Sequence, residues 1–367
     1  LFLALAIQLY ESTLISDDSP FDRSRRDAAG LPVDLSAAER RGLEAFRTAH
    51  CNVCHVGPAF TAAAVVTNAR VALEHPEGFG DAGFQVSATA NIVDRARGLG
   101  GNGFVDTGFA ATGVARTAWD TGLGGRDAFG APLSFAAQYL ARLAGDTAAV
   151  RDPGVDRIRA CDLTLPIARN QAAPNAFMFT RADGILAQPQ DTAGCFNPGG
   201  AWLPSPAAAA RELADPATRK MLAIVDGAFK IPTLRNIELT GPYMHNGGMA
   251  TLEQVIEFYA RGGNFDEPSK QFGLVFPQPD LQLDADTRAD LLAFLRTLTD
   301  DRVRYERAPF DHPALPLPHG HPNPDGALAG GNALDPRLAP DLMLNLPPVG
   351  AAGRATPLAP FEADLAP

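Results

Sequence analysis

Apolar residues recur at helical spacing in three parts of the chain, around residues 36–48, 251–261 and 284–298. Between these parts the sequence is dense in turn-forming residues, with 35 Gly and 31 Pro in 367 residues. Such a chain is expected to hold few regular elements joined by long irregular loops. The pattern therefore predicts a mainly α fold, and the hydrophobic share of 46% is typical of a soluble protein.

A C-x-x-C-H run follows the first helical stretch, at Cys51, Cys54 and His55. This spacing is the attachment signature of a c-type haem, in which two thiols bond to the porphyrin and the histidine binds the iron. A zinc site or a redox-active C-x-x-C is the alternative. Zinc requires a second Cys or His pair at similar spacing, whereas Cys161 and Cys195 stand alone. The sequence therefore predicts one covalently bound haem c per chain.

The helix before this motif is expected to pack against the helix predicted at residues 284–298. Ser36 and Glu39 form a capping box at its start. Gly42 followed by Phe46 is the small-then-aromatic pair found on the first helix of class I cytochromes c, where glycine permits the close approach of a second helix. The haem motif and the two helices together predict a class I cytochrome c-like haem domain.

A third helix is predicted from a capping box formed by Thr251 and Gln254, and residues 262–263, both glycine, are expected to end it. Four residues of this helix share one face at i, i+3, i+4 and i+7 spacing and are expected to be buried: Leu252, Val255, Ile256 and Tyr259. On pattern alone, Tyr259 is more typical of a core tyrosine than of an iron ligand.

The charge balance and the haem motif limit the cellular location and the binding partners that the protein can have. A formal net charge of −11 argues against nucleic acid and favours basic partners such as small cytochromes. Because covalent haem attachment takes place outside the bacterial cytoplasm, we expect a periplasmic or otherwise extracytoplasmic location. In an oxidising compartment Cys161 and Cys195 are predicted to form a disulfide, with two unpaired buried thiols as the alternative.

The chain divides into three predicted regions. Residues 1–10 are apolar but lack a basic residue and a cleavage site, and they are too short to cross a bilayer, so no transmembrane segment is predicted. We interpret residues 1–35 as the end of a helix and a linker from a domain upstream. Residues 36–300 form the predicted haem domain, with an insertion at about 131–225, and residues 301–367 form a Pro-rich C-terminal extension.

Residues 98–130 are dense in glycine with interleaved aromatic residues, which favours a compact loop over the haem edge rather than a nucleotide-binding turn. Residues 133–143 are typical of a short helix. Three histidines in the C-terminal extension suit a solvated loop better than a metal site: His312, His319 and His321.

Three stretches of sequence carry a resemblance to a known family. Residues 51–61 read C-x-x-C-H-V-G-P-A-F-T, residues 229–236 read F-K-I-P-T-L-R-N, and residues 242–247 read P-Y-M-H-N-G. They resemble the bacterial di-haem cytochrome c peroxidases and their MauG-type relatives, the first being similar to the attachment site of the family's C-terminal haem. The resemblance covers roughly residues 1–130 and 226–300.

The resemblance implies further ligands. In this family the second axial ligand lies fourteen residues after the His of the Pro-Tyr-x-His motif, as Met in the peroxidases and as Tyr in MauG. Counting from His245, that position is Tyr259, which the resemblance therefore implies as the distal iron ligand. Family members also hold a calcium ion through two backbone carbonyls, whose positions match Thr240 and Pro242.

Three more residues are candidates by position, and no catalytic residue is assigned. The family places His245 near the haems without binding this iron, with a plain structural role as the alternative. Met244, beside it, is another residue able to approach the iron. Arg235 is a candidate partner of a haem propionate, with a surface salt bridge as the alternative.

The family carries two haems, whereas this sequence contains one C-x-x-C-H. The resemblance therefore implies a C-terminal haem domain that relays electrons to or from a haem upstream, where hydrogen peroxide reacts, with an electron-donor or substrate protein as partner. Two alternatives stay open: a mono-haem electron-transfer cytochrome domain, and a haem oxygenase resembling the rubber oxygenases. A second C-x-x-C-H upstream would argue against the first, and the second requires an iron that binds O2 in an apolar channel.

Overall fold

The computed structural model describes most of the predicted haem domain and parts of both flanking regions. The residues described are 2–27, 31–49, 51–64, 67, 93–98, 101–149, 162–164, 168–170, 173–178, 214, 221–267, 270, 284–318 and 342–365. The predicted disulfide of Cys161 and Cys195 lies outside them, as do His319 and His321.

Helices and short strands follow one another in blocks along the chain. The described α-helices are α1 (Phe2–Glu11), α2 (Pro20–Arg23), α3 (Ala37–Thr48), α4 (Cys51–Cys54), α5 (Phe135–Leu143), α6 (Leu252–Ala260), α7 (Ala285–Arg296) and α8 (Asp301–Arg304). The described strands are β1 (Val93–Gly98), β2 (Gly101–Asp106), β3 (Phe109–Ala111), β4 (Asp162–Thr164), β5 (Ala168–Asn170), β6 (Ala173–Met178), β7 (Met221–Ala223), β8 (Ala228–Lys230), β9 (Leu315–Pro318) and β10 (Met343–Leu346). Single 3-10 turns lie at Thr147–Ala149, Ile237–Leu239 and Phe361–Leu365.

The predicted packing of α3 against α7 is confirmed. The capping box of Ser36 and Glu39 starts α3 as expected. Gly42 lies directly against α7, because a Cβ built on it would be 1.9 Å from the carbonyl oxygen of Asp290. Close to this crossing, the buried rings of Phe46 and Phe294 pack with their centroids 5.3 Å apart. The glycine therefore sets how close the two helices come.

The helix predicted at Thr251 is also confirmed. Both hydrogen bonds of its capping box are present, and Ala260 is its last residue. Gly262 and Gly263 then adopt positive φ angles of 80° and 97°, which favour glycine. Leu252 and Ile256 are buried as expected, whereas Val255 and Tyr259 are only partly buried. Phe258 is buried as well, so that α6 is anchored in the core.

The expectation of a mainly α fold is met only in part, because the described residues form a mixed structure in which helices outweigh strands. The first part of the glycine-dense region, up to residue 111, forms strands instead of a loop: β1 and β2 pair antiparallel, with Gly98 opposite Gly101, and residues 112–130 follow as turns and irregular chain. β4 joins β1 and β7 joins β2, both in parallel, giving the sheet order β4-β1-β2-β7. Sequence periodicity did not predict this sheet, because its strands carry small side chains and pair with strands that are distant in the chain. The class I cytochrome c-like topology stays a prediction.

A buried carboxylate connects this sheet to α5, the short helix predicted at residues 133–143. Asp106 ends β2, and its carboxylate accepts hydrogen bonds from the Ser134 hydroxyl at 2.7 Å and from the amides of Phe135 and Ala136, both at 2.8 Å. Burial raises the pKa of Asp106, although these hydrogen bonds offset part of the increase. The carboxylate thus caps α5 from the neighbouring strand.

The linker after α1 and the residues after β10 are both held to the rest of the domain by specific contacts. The linker is bonded to α8, where the Asp17 carboxylate accepts from Arg302 at 2.7 Å. Residues after β10 return to the same region, since the Arg354 amide donates to the Tyr305 carbonyl at 2.8 Å. Phe361 then packs against Gly241. The side chains of α1 are exposed along its length, and no helix in the described part is long and apolar enough to cross a membrane.

Candidate haem site

The two cysteines of the haem motif lie on α4, a single helical turn that follows α3. The His55 amide donates to the Cys51 carbonyl at 2.9 Å, and the Ala62 amide donates to the Cys54 carbonyl at 2.8 Å. Both thiols are free and partly buried. Burial raises the pKa of Cys51 to about 12, with a contribution from Cys54, and raises the pKa of Cys54 to about 11. Two protonated thiols therefore lie close together at the spacing that haem attachment uses.

His55 is held in the orientation of an iron ligand. Its Nδ1 lies 3.1 Å from the carbonyl oxygen of Phe60. A carbonyl only accepts, so Nδ1 carries the proton and Nε2 is left with its lone pair. Burial lowers the pKa of His55 to about 4, although hydrogen bonding to the carbonyls of Phe60 and Pro232 offsets part of the decrease. The ring is therefore neutral at pH 7 and presents one nitrogen able to bind a metal.

The turn that supplies the Phe60 carbonyl is fixed by the run of residues 229–236. The Thr61 hydroxyl donates to the Ile231 carbonyl at 2.6 Å, and the Thr233 hydroxyl donates to the Ala59 carbonyl at 2.5 Å. β8, where this run begins, pairs antiparallel with β3. Two of the stretches that carry the family resemblance are thus in direct contact, and together they position His55.

The structure brings Tyr259 to the haem motif. Its side chain is partly buried against the hydrophobic core, as are Cys51 and Met244. Burial raises the pKa of Tyr259 well above its ordinary value, and the nearby Cys54 and Cys51 raise it further. Among the described residues no hydrogen bond is recorded for its hydroxyl, which leaves the phenol oxygen available beside the two thiols.

His245 is engaged outside this pocket. Its Nε2 lies 2.7 Å from Oδ2 of Asp120, and its ring stacks on Phe229 with centroids 3.5 Å apart and an angle of 7°. Met244, the residue before it, has a φ of 67°, a conformation rare for a residue with a side chain. Nothing in the sequence around Asp120 indicated that it would pair with His245, because the two are far apart in the chain.

Arg235 forms a buried ion pair instead of lying at the surface. Its Nη1 and Nη2 donate to the two carboxylate oxygens of Asp22 at 2.7 and 2.9 Å, and its Nε donates to the Pro58 carbonyl at 2.8 Å. The two side chains are only 13% and 16% exposed. The salt bridge that was the alternative to a haem propionate is therefore present but largely buried, and a propionate would have to share a guanidinium that Asp22 already holds.

Thr240 and Pro242 lie in the turn after the 3-10 helix Ile237–Leu239. The Thr240 hydroxyl donates to the Ile237 carbonyl at 3.2 Å, and the side chain of Phe361 packs on Gly241 between the two candidate calcium positions. In the part of the chain that the structure describes, no group of three or more His, Cys, Asp or Glu side chains is arranged to hold a metal ion.

The donor set fits a covalently bound haem. Two thiols at C-x-x-C spacing lie beside the Tyr259 phenol, and a neutral imidazole follows them in the motif. Zinc in a closed structural site requires four protein ligands, and the described residues offer no such cluster. These residue types at this spacing fit a covalently bound haem c.

Comparison with known proteins agrees with that class. No family model matches the chain. The MauG methylamine utilization protein of Methylorubrum extorquens is 38% identical over 89 residues, which are 24% of this chain and 22% of that protein. The MauG of Paracoccus denitrificans is 42% identical over 93 residues, covering 21% and 24%. The cytochrome c551 peroxidase of Nitrosomonas europaea is 41% identical over 78 residues, covering 21% and 19%.

Over part of its length the chain is similar to cytochrome c peroxidases and MauG proteins, in agreement with the resemblance that its motifs carry. Each match spans less than a quarter of the relative's own length. The crystal structure of a MauG-like protein associated with microbial copper homeostasis aligns with 22% identity over 80% of this chain and 55% of that chain. Its TM-score of 0.32 is too low to establish a shared fold.

Proposed function

We propose that this chain is the C-terminal haem-c domain of a di-haem peroxidase or MauG-like oxidoreductase, and that it relays electrons to or from a peroxide-reactive haem upstream. The observation that carries the proposal is the proximity of Tyr259 to Cys51 and Cys54, the two thiols that precede His55 in the C-x-x-C-H motif. Relatives that match over part of the chain bear the names of MauG and cytochrome c peroxidases, which supports the oxidoreductase class.

In this proposal each residue has a defined role. Cys51 and Cys54 would hold the porphyrin through thioether bonds, and His55 Nε2 and the Tyr259 oxygen would bind its iron. When bound, haem c supplies one-electron redox chemistry, and an anionic oxygen ligand favours its oxidised state. The Phe60 carbonyl keeps the proton of His55 on Nδ1, which leaves Nε2 available for the metal.

Tyr259 contributes by closing the pocket as well as by binding. Burial raises the pKa of its phenol, so that the oxygen loses its proton only where a cation compensates the charge. Leu252 and Ile256, buried on the same helix, hold this side chain against the core. An iron whose ligands are all supplied by the protein would suit electron relay, whereas peroxide binding requires an open coordination position.

The wider setting follows from the same proposal. Residues 1–35 act as the link from an upstream haem domain, residues 36–300 form this haem domain with the insertion at about 131–225, and residues 301–367 form the C-terminal extension. A calcium ion held by the carbonyls of Thr240 and Pro242 would lie toward the upstream domain. The setting is extracytoplasmic, and a net charge of −11 suits a basic electron-donor or substrate protein.

Hydrogen peroxide turnover tests the relay role. The haem-loaded chain alone is expected to be reduced and reoxidised reversibly by one electron without consuming peroxide. The same chain joined to its upstream domain is expected to consume peroxide, and the Tyr259→Phe form is expected to change the rate. Peroxidase turnover by this chain alone would contradict the proposal, because the reactive haem would then be here.

A further inference from the structure

The ion pair of Asp22 and Arg235 joins the linker to the loop that holds the haem histidine. Asp22 lies on α2, where the Ser19 hydroxyl and amide donate to its Oδ2 at 2.7 and 3.0 Å. It receives both terminal nitrogens of Arg235 in a fork geometry. Both side chains are largely buried. A buried, bidentate pair of this kind fixes geometry more strictly than an exposed one.

Arg235 reaches from this carboxylate to the turn beside His55. Its Nε donates to the Pro58 carbonyl at 2.8 Å, and its guanidinium carbon lies 5.7 Å from the centre of the Phe60 ring. Phe60 itself has a φ of 50°, which a residue with a side chain adopts only when its surroundings hold it there. The carbonyl of that same residue receives the Nδ1 proton of His55.

We propose that Asp22 and Arg235 are positioning residues for His55: the linker carboxylate orients the guanidinium, the guanidinium fixes the Pro58–Phe60 turn, and the turn fixes the imidazole. The inference rests on the proposed function, since it assigns these residues to the proximal side of that haem site. It makes the linker a determinant of the haem potential, because a fixed acceptor on Nδ1 makes the imidazole a stronger donor to the iron.

The variant Arg235→Lys separates geometry from charge. Lysine keeps the positive charge and still reaches a carboxylate, but it lacks the planar fork that bonds Asp22 and Pro58 at once. Loosening the turn weakens the hydrogen bond from His55, so the reduction potential of the haem-loaded chain is expected to rise and its ferric EPR g values to shift. Arg23→Lys is the matched control, because Arg23 pairs with Asp301 from the same short helix at 45% and 37% exposure.

The control is expected to leave both the potential and the EPR spectrum unchanged. If Arg235→Lys also leaves both unchanged while lowering the unfolding midpoint, the pair has a purely structural role and the inference is overturned. An equal shift in Arg23→Lys would overturn it as well, because the effect would then not depend on the Pro58 contact.

A measurement on the haem-free full chain distinguishes a failure of this inference from a failure of the proposed function. The 15N chemical shifts of His55 are expected to show the Nδ1–H tautomer alone in the unaltered chain and a mixture of tautomers in Arg235→Lys. Asp22→Asn, which keeps the side-chain shape, is expected to give a mixture too and serves if the lysine variant does not fold. The same single tautomer in both variants would refute the positioning role, whether or not the chain binds haem.

Discussion

Replacing Gly42 by alanine tests the helix crossing that frames the haem site. The new Cβ would lie 1.9 Å from the Asp290 carbonyl oxygen, 2.6 Å from its carbon and 2.8 Å from Cβ of Phe294. Ordinary contact begins at 3.4 Å, so α3 and α7 would have to separate by about 1.5 Å in a closely packed core. Backbone atoms cannot rotate away as the end of a side chain can, which makes this a severe form of overpacking.

The expected cost follows from two opposing terms. Overpacking of a core costs about 1–3 kcal/mol, and a backbone clash of this size belongs at the upper end. Alanine in a helix interior is favoured over glycine by about 1 kcal/mol. The net expectation is a loss of about 2 kcal/mol in the free energy of unfolding, measured by urea titration with circular dichroism.

Gly350→Ala is the control, because a Cβ there meets nothing within 4 Å and the residue has no positive φ. Its free energy of unfolding is expected to stay within about 0.5 kcal/mol of the unaltered chain. If Gly42→Ala is as stable as the unaltered chain or more stable, α3 and α7 do not approach as the structure shows, and the account of the core is refuted.

Three further changes test other parts of the structure. Tyr259→Phe is expected to alter the ferric absorption spectrum and the reduction potential of the haem-loaded chain, and identical values would show that another group binds the iron. Burial raises the pKa of Asp22, but hydrogen bonds from Arg235 and Ser19 outweigh this and leave the pKa below its usual range. In the unfolded chain this pKa is near 3.8, so the Asp22 carboxylate stabilises the fold fully above that pH, and the contribution is lost as the pH falls through the lower pKa of the folded chain. Asp22→Asn should therefore reduce the free energy of unfolding more at pH 7 than at pH 3, as measured by urea unfolding. Asp106→Ala leaves buried donors of α5 unpaired and is expected to cost about 3 kcal/mol; a loss below about 1 kcal/mol in the same assay would contradict the capping role.

The helices could be predicted because their signals are local. A capping box is complete within four residues, so Ser36 with Glu39 and Thr251 with Gln254 identified the starts of α3 and α6 directly. Gly42 was informative for a similar reason, since a glycine inside an amphipathic helix needs a packing explanation. Haem attachment likewise uses a compact motif, which placed the candidate site without any structure.

The sheet and the contacts of the site could not be predicted in the same way. β2 obtains its parallel neighbour from residues 221–223, more than a hundred positions away, and its own glycines give no alternating pattern. Asp22 and Arg235 are separated by 213 residues, so the sequence offered Arg235 a propionate or a surface carboxylate equally well. Only the fold shows that the linker supplies the partner.

The mass of the chain after maturation by an intact haem-attachment system tests the central claim most directly. The account predicts one haem per chain that survives denaturation, and complete loss of that attachment in the Cys51→Ala, Cys54→Ala double variant. A chain that keeps its apo mass under these conditions, or a double variant that still carries haem after denaturation, would contradict the assignment of Cys51, Cys54 and His55 as a haem c site.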